Sequence, residues 1–233
     1  MKKFLIFFLA VVVLASCVNK ERTKTATDKN GYKYEYVEGD PTGARIYTLE
    51  NGLKIYLAVN KDQPRISTFI AVKAGAKNDP RETTGLAHYF EHMMFKGTSK
   101  IATADWAKEE VLIKELSDLF EKRCATDDPA EKERIYAQID SVSQLASQYA
   151  IANEYDKICS LIGATGTNAW TSYEETVYVN EIPSNETERW LITERERFDN
   201  LVLRLFHTEL ETVFEEFNMS QDRDGRKASF KIM

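Results

Sequence analysis

The sequence is poor in several residue types that would otherwise direct its interpretation. Its 233 residues include only three cysteines and three histidines, and the formal net charge of −6 leaves no excess of basic side chains. Lys and Arg are interleaved with acids rather than clustered, so a nucleic-acid partner is not expected. The hydrophobic fraction of 43% and the aromatic fraction of 11% are sufficient for an ordinary globular core.

An apolar run long enough to cross a bilayer is missing from the N-terminus. After Lys2 and Lys3 the apolar run extends only from Phe4 to Ala15, whereas a transmembrane helix needs about 20 residues. This length is typical of a signal-peptide core, and the run ends in Leu-Ala-Ser-Cys17, which resembles the bacterial lipoprotein signal. An ordinary secretory signal that contains a cysteine is the alternative. We expect residues 1–17 to be a lipoprotein signal peptide and the protein to be exported to the bacterial cell envelope, on the periplasmic or surface side.

A lipid on Cys17 would anchor the protein to a membrane and leave Cys124 and Cys159 as the remaining cysteines. The sequence places them at the ends of two consecutive antiparallel helices. Thirty residues at about 1.5 Å each then separate them by roughly 45 Å, too far for a disulfide. We expect both to be free.

The chain beyond the signal divides by composition. Residues 18–43 are polar and carry no sustained period, which predicts a tether, and residues 44–233 are expected to form one folded domain. Asn51-Gly52 predicts a two-residue hairpin turn. Apolar residues alternate with other residues from Leu53 to Val59, so this strand is expected to bury one face.

Strand and helix patterns follow one another in the rest of the chain. The predicted segments are a strand at 66–74, a helix at 86–96 capped by Thr83 or Thr84, a helical hairpin at about 103–163, strands within 163–182, and helices at 186–206 and 209–218. The second helix of the hairpin should start at Pro129, with Glu131 in a capping-box position. Strands and helices mixed in this way predict an α+β, two-layer fold.

The helix at 86–96 carries residues with the spacing of a metal site. His88 and His92 are four residues apart, so both imidazoles leave one face of the helix and can hold the same ion. Glu91 flanks that position and can take a proton from a water. This is the H-x-x-E-H arrangement, the reverse of the commoner zincin order. A helix with two structural histidines and a surface Glu is the alternative.

A zinc site needs a further protein ligand, which we expect to be an acid on another helix. Glu209 and Glu216 are seven residues apart and differ by only about 20° around a helix. One can therefore bind the metal while the other supports a ligand. Spacing alone does not say which, and a solvated acidic face is the alternative.

The ordered motifs of residues 44–220 resemble those of the pitrilysin/insulinase metallopeptidases, the inverzincins, which share a fold with mitochondrial processing peptidases. Four segments carry the resemblance: Leu49-Glu-Asn-Gly-Leu53, Gly85-Leu-Ala-His-Tyr-Phe-Glu-His-Met-Met-Phe-Lys-Gly-Thr98, Thr167-Asn-Ala-Trp-Thr-Ser172 and Glu209 to Glu216. The resemblance implies that residues 44–233 are an N-terminal catalytic metallopeptidase domain of this type.

The resemblance also implies roles for individual residues. His88, His92 and Glu216 correspond to the ligands of one Zn²⁺ per chain, and Glu91 to the general base that acts on a zinc-activated water. Glu209 corresponds to the family's auxiliary catalytic acid, and it favours Glu216 over the neighbouring Glu215 because only Glu216 keeps the seven-residue step. Two further residues, Asn168 and Ala169, match the strand edge that binds an extended peptide or protein substrate, although plain sheet structure explains them equally well. His207 matches no motif position and is expected to be a surface or capping histidine.

Two features depart from the family pattern. About 120 positions separate His92 from Glu216, more than in shorter members, and we attribute the excess to an insertion formed by the helical hairpin. Family members also continue through the rest of this domain and at least one related domain. We therefore expect a truncated chain whose active site is completed by a further domain or a partner subunit.

The sequence thus predicts a zinc-dependent endopeptidase. A non-catalytic peptide-binding or assembly subunit, or an inactive fragment of a longer peptidase, is the first alternative. Inactive family members usually lack part of H-x-x-E-H, whereas this chain keeps all of it. A structural lipoprotein with an accidental motif is the second alternative, and bound zinc would distinguish it.

Overall fold

The computed structural model describes residues 23–223, with side chains up to Met219. The chain divides into two compact units, residues 1–63 and 64–233, so the predicted domain boundary at residue 44 lies within the first unit. The predicted signal peptide and its Cys17 lie outside the described residues. Across residues 23–223, no helix combines the length and apolar character needed to cross a membrane.

The described part of the first unit is a four-stranded antiparallel sheet in the order β1-β2-β3-β4. Its strands are Thr23–Thr27 (β1), Lys33–Val37 (β2), Arg45–Thr48 (β3) and Lys54–Leu57 (β4). The prediction of a tether over residues 18–43 is therefore wrong for its described part. The polar residues form a hairpin of β1 and β2. In its turn, Asp28 Oδ1 accepts hydrogen bonds from the backbone N–H groups of Asn30 and Tyr32.

The turn between β3 and β4 differs from the predicted two-residue turn. Only Gly52 has a positive φ, +88°, and its N–H donates to the carbonyl of Leu49, so the reversal covers more residues than Asn51-Gly52. The prediction that β4 buries one face is also wrong. Leu53 and Leu57 are more than half exposed, because the alternation shows which residues share a face and not whether that face is covered.

The second unit contains a three-stranded antiparallel sheet in the order β5-β7-β6. The strands are Arg65–Val72 (β5), Thr165–Thr171 (β6) and Thr176–Pro183 (β7). Central strand β7 is the most buried, and Ile182 on it packs with Ile162 and Trp190 in one hydrophobic cluster. Strand β6 forms one edge of this sheet.

Six α-helices complete the described part of the second unit. They are Leu86–Met93 (α1), Trp106–Ala125 (α2), Pro129–Ser147 (α3), Glu154–Leu161 (α4), Thr187–Asp199 (α5) and Phe206–Arg223 (α6). The mixture of helices and sheet confirms the predicted α+β class. The hairpin of α2 and α3 packs around a second hydrophobic cluster that includes Leu116 and Ile139.

The predicted hairpin region contains three helices rather than two. The chain leaves α3 after Ser147 and starts α4 only after Asn153, which has a positive φ of 56°. Asp128 caps α3 by accepting the N–H of Ala130, whereas Glu131 pairs with Arg134 instead of completing a capping box. Both described cysteines are free, as predicted. The chain between them, however, forms two helices where one was predicted.

The N-terminus of α1 is not capped by Thr83 or Thr84. Its cap position is Gly85, and the carboxylate of Asp79 accepts the N–H groups of Gly85 at 2.7 Å and Ala87 at 2.9 Å. An acid outside the helix therefore satisfies two of the backbone donors that a helix start leaves unpaired. This contact holds the first turn of the helix that carries the histidines.

A buried ion pair on helix α5 contacts the second sheet. Arg197, 1% exposed, donates to Glu194, 3% exposed. The guanidinium also lies over four aromatic rings, those of Phe95, Tyr155, Tyr178 and Phe198. Because Phe95 follows α1 and Tyr178 lies on β7, this cation joins the histidine helix to the sheet.

Candidate metal centre

Helix α1 presents the two histidines of the H-x-x-E-H motif to the same point. Their Nε2 atoms are 3.2 Å apart, and their rings meet edge to face with centroids 4.8 Å apart. The four-residue spacing produces this contact, because residues i and i+4 lie one above the other on a helix. Both histidines are partly buried.

Helix α6 brings a carboxylate to the histidine pair. Oε2 of Glu216 lies 3.8 Å from Nε2 of His88 and 3.4 Å from Nε2 of His92. One ligand atom from each of the three residues can be chosen so that all lie within 4.8 Å of one another. The neighbouring Glu215 is exposed and is not part of this group. The two helices that meet here are far apart in the chain.

Glu209 contacts the opposite side of the His92 ring. Its Oε1 lies 3.0 Å from Nδ1 of His92, and its Oε2 lies 2.5 Å from Nζ of Lys96. A carboxylate only accepts hydrogen bonds, so in the neutral imidazole this contact requires the proton on Nδ1 and leaves the lone pair on Nε2, where a metal would bind. The structure therefore places Glu209 behind a histidine, in the supporting arrangement that the seven-residue spacing had left open.

Glu91 is buried on the sheet side of α1. Its Oε2 accepts a hydrogen bond from the Thr171 hydroxyl at 2.6 Å. Thr171 Oγ1 is also 3.3 Å from Thr176 Oγ1, which donates to the carbonyl of Ala74. Both hydroxyl protons are thus donated away from the Thr171–Thr176 contact, and the Thr171 hydroxyl alone restrains the Glu91 carboxylate.

Asn168 and Ala169 lie on edge strand β6, opposite Val179 and Tyr178 of β7. Asn168 is exposed and Ala169 is partly buried. Successive side chains of a strand point to opposite faces, so Ala169 shares a face with Thr171 and Asn168 does not. The backbone of β6 is thus next to Glu91, on the edge of the sheet where a further strand can be added.

His207 lies away from this group. It is partly buried, its Nδ1 is 3.4 Å from the Ser143 hydroxyl, and its ring packs against Phe206. It is neither a metal-ligand candidate nor a plain surface histidine, because it contacts helix α3.

Two tyrosines near the site have raised pKa values. Burial, with a contribution from the charge of Glu209, raises the pKa of Tyr89 to about 12, and its hydroxyl donates to the carbonyl of Phe206 at 2.5 Å. Burial also raises the pKa of Tyr178 to about 12; the charge of Arg197 acts in the opposite direction, and that of Glu91 adds to the increase. Both phenols are therefore protonated at neutral pH.

Sequence reasoning assigned no role to Lys96 or Thr171, although both lie within quoted motifs. Lys96 follows His92 by four residues, the same step that joins the histidines, and this step was the available signal. No signal pointed to Thr171, because its contact with Glu91 depends on how α1 packs against β6.

The side chains that meet here form a recognisable donor set. Two imidazole nitrogens and one carboxylate oxygen are the protein ligands of many catalytic zinc sites, which keep another position open. Glu91 directly precedes His92 in the chain without belonging to this set, and Glu209 orients one of its members. The residues present therefore fit a zinc ion together with a separate acid–base group.

The known proteins that this chain resembles include peptidases and a zinc protease. Residues 54–112 match the family described as Insulinase (Peptidase family M16). An insulin-degrading enzyme homolog from Dictyostelium discoideum is 33% identical over 81 residues, which are 35% of this chain and 7% of that protein. The uncharacterized zinc protease YmxG of Bacillus subtilis (strain 168) is 36% identical over 53 residues, 23% of this chain and 13% of that protein.

The crystal structure of pitrilysin shares the fold. It superimposes with a TM-score of 0.52 at 17% identity, covering 88% of this chain and 16% of pitrilysin. The fold is therefore that of the pitrilysin-type metalloproteases. With the family match over residues 54–112, the resemblance seen in the motifs is confirmed. The chain spans only a small part of the length of the relatives it matches.

Proposed function

We propose that this chain carries the metal centre of a zinc-dependent endopeptidase that hydrolyses peptide bonds in extended peptides or proteins. One observation carries the proposal. Two imidazoles from α1 and a carboxylate from α6 offer ligand atoms within 4.8 Å of one another, and the buried Glu91 directly precedes His92 on α1. The match of residues 54–112 to the insulinase peptidase family supports the same class of reaction.

His88, His92 and Glu216 would hold one zinc ion in this proposal. Zinc would supply Lewis acidity at the scissile carbonyl and lower the pKa of a water toward about 7. Glu209 would keep His92 in the tautomer and orientation that ligation needs, since histidine ligands commonly donate their other nitrogen to a carboxylate.

Glu91 would move the proton. Its carboxylate would take a proton from the attacking water and deliver it to the leaving amine, the work of a general base that then acts as an acid. The hydrogen bond from Thr171 occupies one oxygen, Oε2, and so limits rotation of the carboxylate. A buried acid fixed in this way needs little rearrangement during the reaction.

The edge of β6 would bind the substrate as an added strand. Backbone groups of Asn168 and Ala169 would pair with an extended peptide, and this main-chain pairing supplies affinity without demanding a particular sequence. Ala169 lies on the same face as Thr171, so a peptide along this edge would pass close to Glu91. We further propose that Cys17 is lipidated and anchors the protein outside the cytoplasm, a proposal supported only by the sequence pattern.

Zinc content and peptide cleavage together test this function. The purified chain should contain one zinc per molecule by elemental analysis, and His88→Ala and Glu216→Ala should lose it. Glu215→Ala is the matched control, because it removes an exposed acid next to Glu216 on the same helix. Glu91→Gln should keep zinc.

Cleavage of an unstructured protein substrate then separates catalysis from binding. Wild type should cleave it and Glu91→Gln should not. Zinc lost in Glu216→Ala without cleavage by wild type would support the peptide-binding alternative or an incomplete enzyme, whereas zinc retained in both His88→Ala and Glu216→Ala would refute the proposed centre.

A further inference from the structure

Lys96 contacts Glu209, the carboxylate that supports the proposed metal ligand His92. Its Nζ is 2.5 Å from Oε2 of Glu209, and Oε1 of the same carboxylate is 3.0 Å from Nδ1 of His92. The Glu209 carboxylate therefore lies between an ammonium group and an imidazole. With a side-chain exposure of only 11% for Glu209, little solvent competes for either contact.

Holding both oxygens of one carboxylate has a geometric consequence. A carboxylate anchored by one hydrogen bond can still turn about its terminal bond, but a second contact on the other oxygen prevents this turn. Lys96 thereby fixes Oε1 against Nδ1 of His92. The opposite nitrogen of that ring, Nε2, is then directed at His88 and Glu216.

The backbone at Lys96 is itself held by a buried cation. Arg204, 2% exposed, donates from Nη1 to the carbonyl of Lys96 at 2.7 Å and from Nη2 to the carbonyl of Thr98 at 3.0 Å. Its guanidinium also pairs with the buried Glu109 of α2. Between these carbonyls Gly97 has a φ of +97°, and a Cβ there would lie 2.4 Å from the carbonyl oxygen of Ile101. The loop that carries Lys96 is therefore closely packed.

We propose that Lys96 is a positioning residue that acts through Glu209 to orient His92 for metal binding, and that the Arg204–Glu109 pair holds Lys96 in place. The proposal rests on the proposed zinc site and adds a residue to it. It also connects that site to the helical hairpin, because Glu109 belongs to the first turn of α2.

An ordinary surface ion pair is the competing explanation for the Lys96–Glu209 contact. Exposed pairs contribute little and can be removed without consequence. The contact of Glu209 with His92 makes a different prediction. Partners that orient metal ligands typically change metal affinity 10-fold to 100-fold when they are removed.

The test measures the zinc dissociation constant of the full chain by competition with a chromophoric chelator. We expect Lys96→Met to weaken zinc binding about 10-fold to 100-fold and Lys96→Arg, which keeps the cation, to restore most of the affinity. Lys100→Met is the matched control, because Lys100 lies in the same loop and pairs with Glu196 instead; it should bind zinc like wild type. Thermal unfolding of the metal-free proteins should show a cooperative transition for both Lys96→Met and Lys100→Met, so that lost zinc affinity is not lost folding.

A double substitution shows whether Lys96 works through Glu209. In the Glu209→Gln background, adding Lys96→Met should cause little further loss of zinc affinity, because the link is already broken. Unchanged affinity in Lys96→Met, or losses that multiply in the double variant, would overturn the inference. Absence of zinc from the wild-type chain would instead refute the proposed metal site, and the inference with it.

Discussion

The buried pair of Arg204 and Glu109 offers the sharpest test of what holds the second unit together. Glu109 is 0% exposed and Arg204 is 2% exposed. The guanidinium pairs with both carboxylate oxygens, with contacts of 2.5 Å from Nε and 2.9 Å from Nη2. It also donates to the carbonyls of Lys96, Thr98 and Ile101. The perturbation is Arg204→Met, which keeps length and removes every donor.

The expected cost follows from what the substitution leaves behind. A fully buried carboxylate loses its cation, and removing one partner of such a pair costs about 3–5 kcal/mol. Three carbonyl groups lose a donor as well, which places the expectation toward the upper end. A domain of ordinary stability unfolds at about 5–15 kcal/mol, so this one change should remove a large part of the total. Replacing both residues by Met should be less harmful than the sum of the single changes, by about 1–3 kcal/mol.

Urea denaturation followed by far-ultraviolet circular dichroism measures these differences. The control is Arg195→Met, the same substitution at an arginine whose side chain is 83% exposed and which pairs with Asp199 on the surface; its unfolding curve should match that of wild type. A loss below about 1 kcal/mol for Arg204→Met, or strictly additive effects in the double variant, would show that the pair contributes no more than a surface contact.

Two further predictions concern the start of α1 and the buried phenol of β7. Asp79→Ala should lower the unfolding free energy by about 1 kcal/mol, since it removes the acceptor of the Gly85 and Ala87 N–H groups. The control is Asp62→Ala, at an exposed acid, which should leave the unfolding free energy unchanged. Equal unfolding curves for the two variants would exclude the cap. Because the pKa of Tyr178 is raised by burial to about 12, the folded chain keeps a proton that the unfolded chain releases near pH 10, so stability should decrease as pH rises from about 10 to about 12. Tyrosinate absorbance should show two phenols titrating near pH 12 in wild type, those of Tyr89 and Tyr178, and only one in Tyr178→Phe. Loss of a phenol that titrates near pH 10 in this variant would contradict the burial argument.

Local patterns predicted much of the fold. The helical pattern at about 103–163 predicted a hairpin because apolar residues three and four apart share a helix face, and α2 and α3 do pack together, around Leu116 and Ile139. The strand composition of residues 163–182 predicted β6 and β7 for a similar reason. Periodicity failed at β1 and β2, where polar residues form strands, and at β4, where an alternating strand is exposed.

In the candidate site, too, local spacing predicted some contacts and helix packing decided the others. The spacing of His88 and His92 predicted their convergence, because both lie on one helix whose geometry is known in advance. Glu209 and Glu216 were predicted to share a face, but only the packing of α6 on α1 assigns one to the Nε2 side of the imidazoles and the other to Nδ1. Lys96, Thr171 and Asp79 were missed, since each acts on a partner outside its own element.

By itself, the sequence determined the identity and order of the groups that carry the chemistry, because helix and strand periods relate residues a few positions apart. Only the tertiary structure decided which carboxylate faces which imidazole nitrogen, that Thr171 holds Glu91, and that Arg204 ties the helical hairpin to the loop of Lys96. These contacts join residues about 80 to 128 positions apart. Their geometry depends on how whole helices and sheets pack, which no local pattern contains.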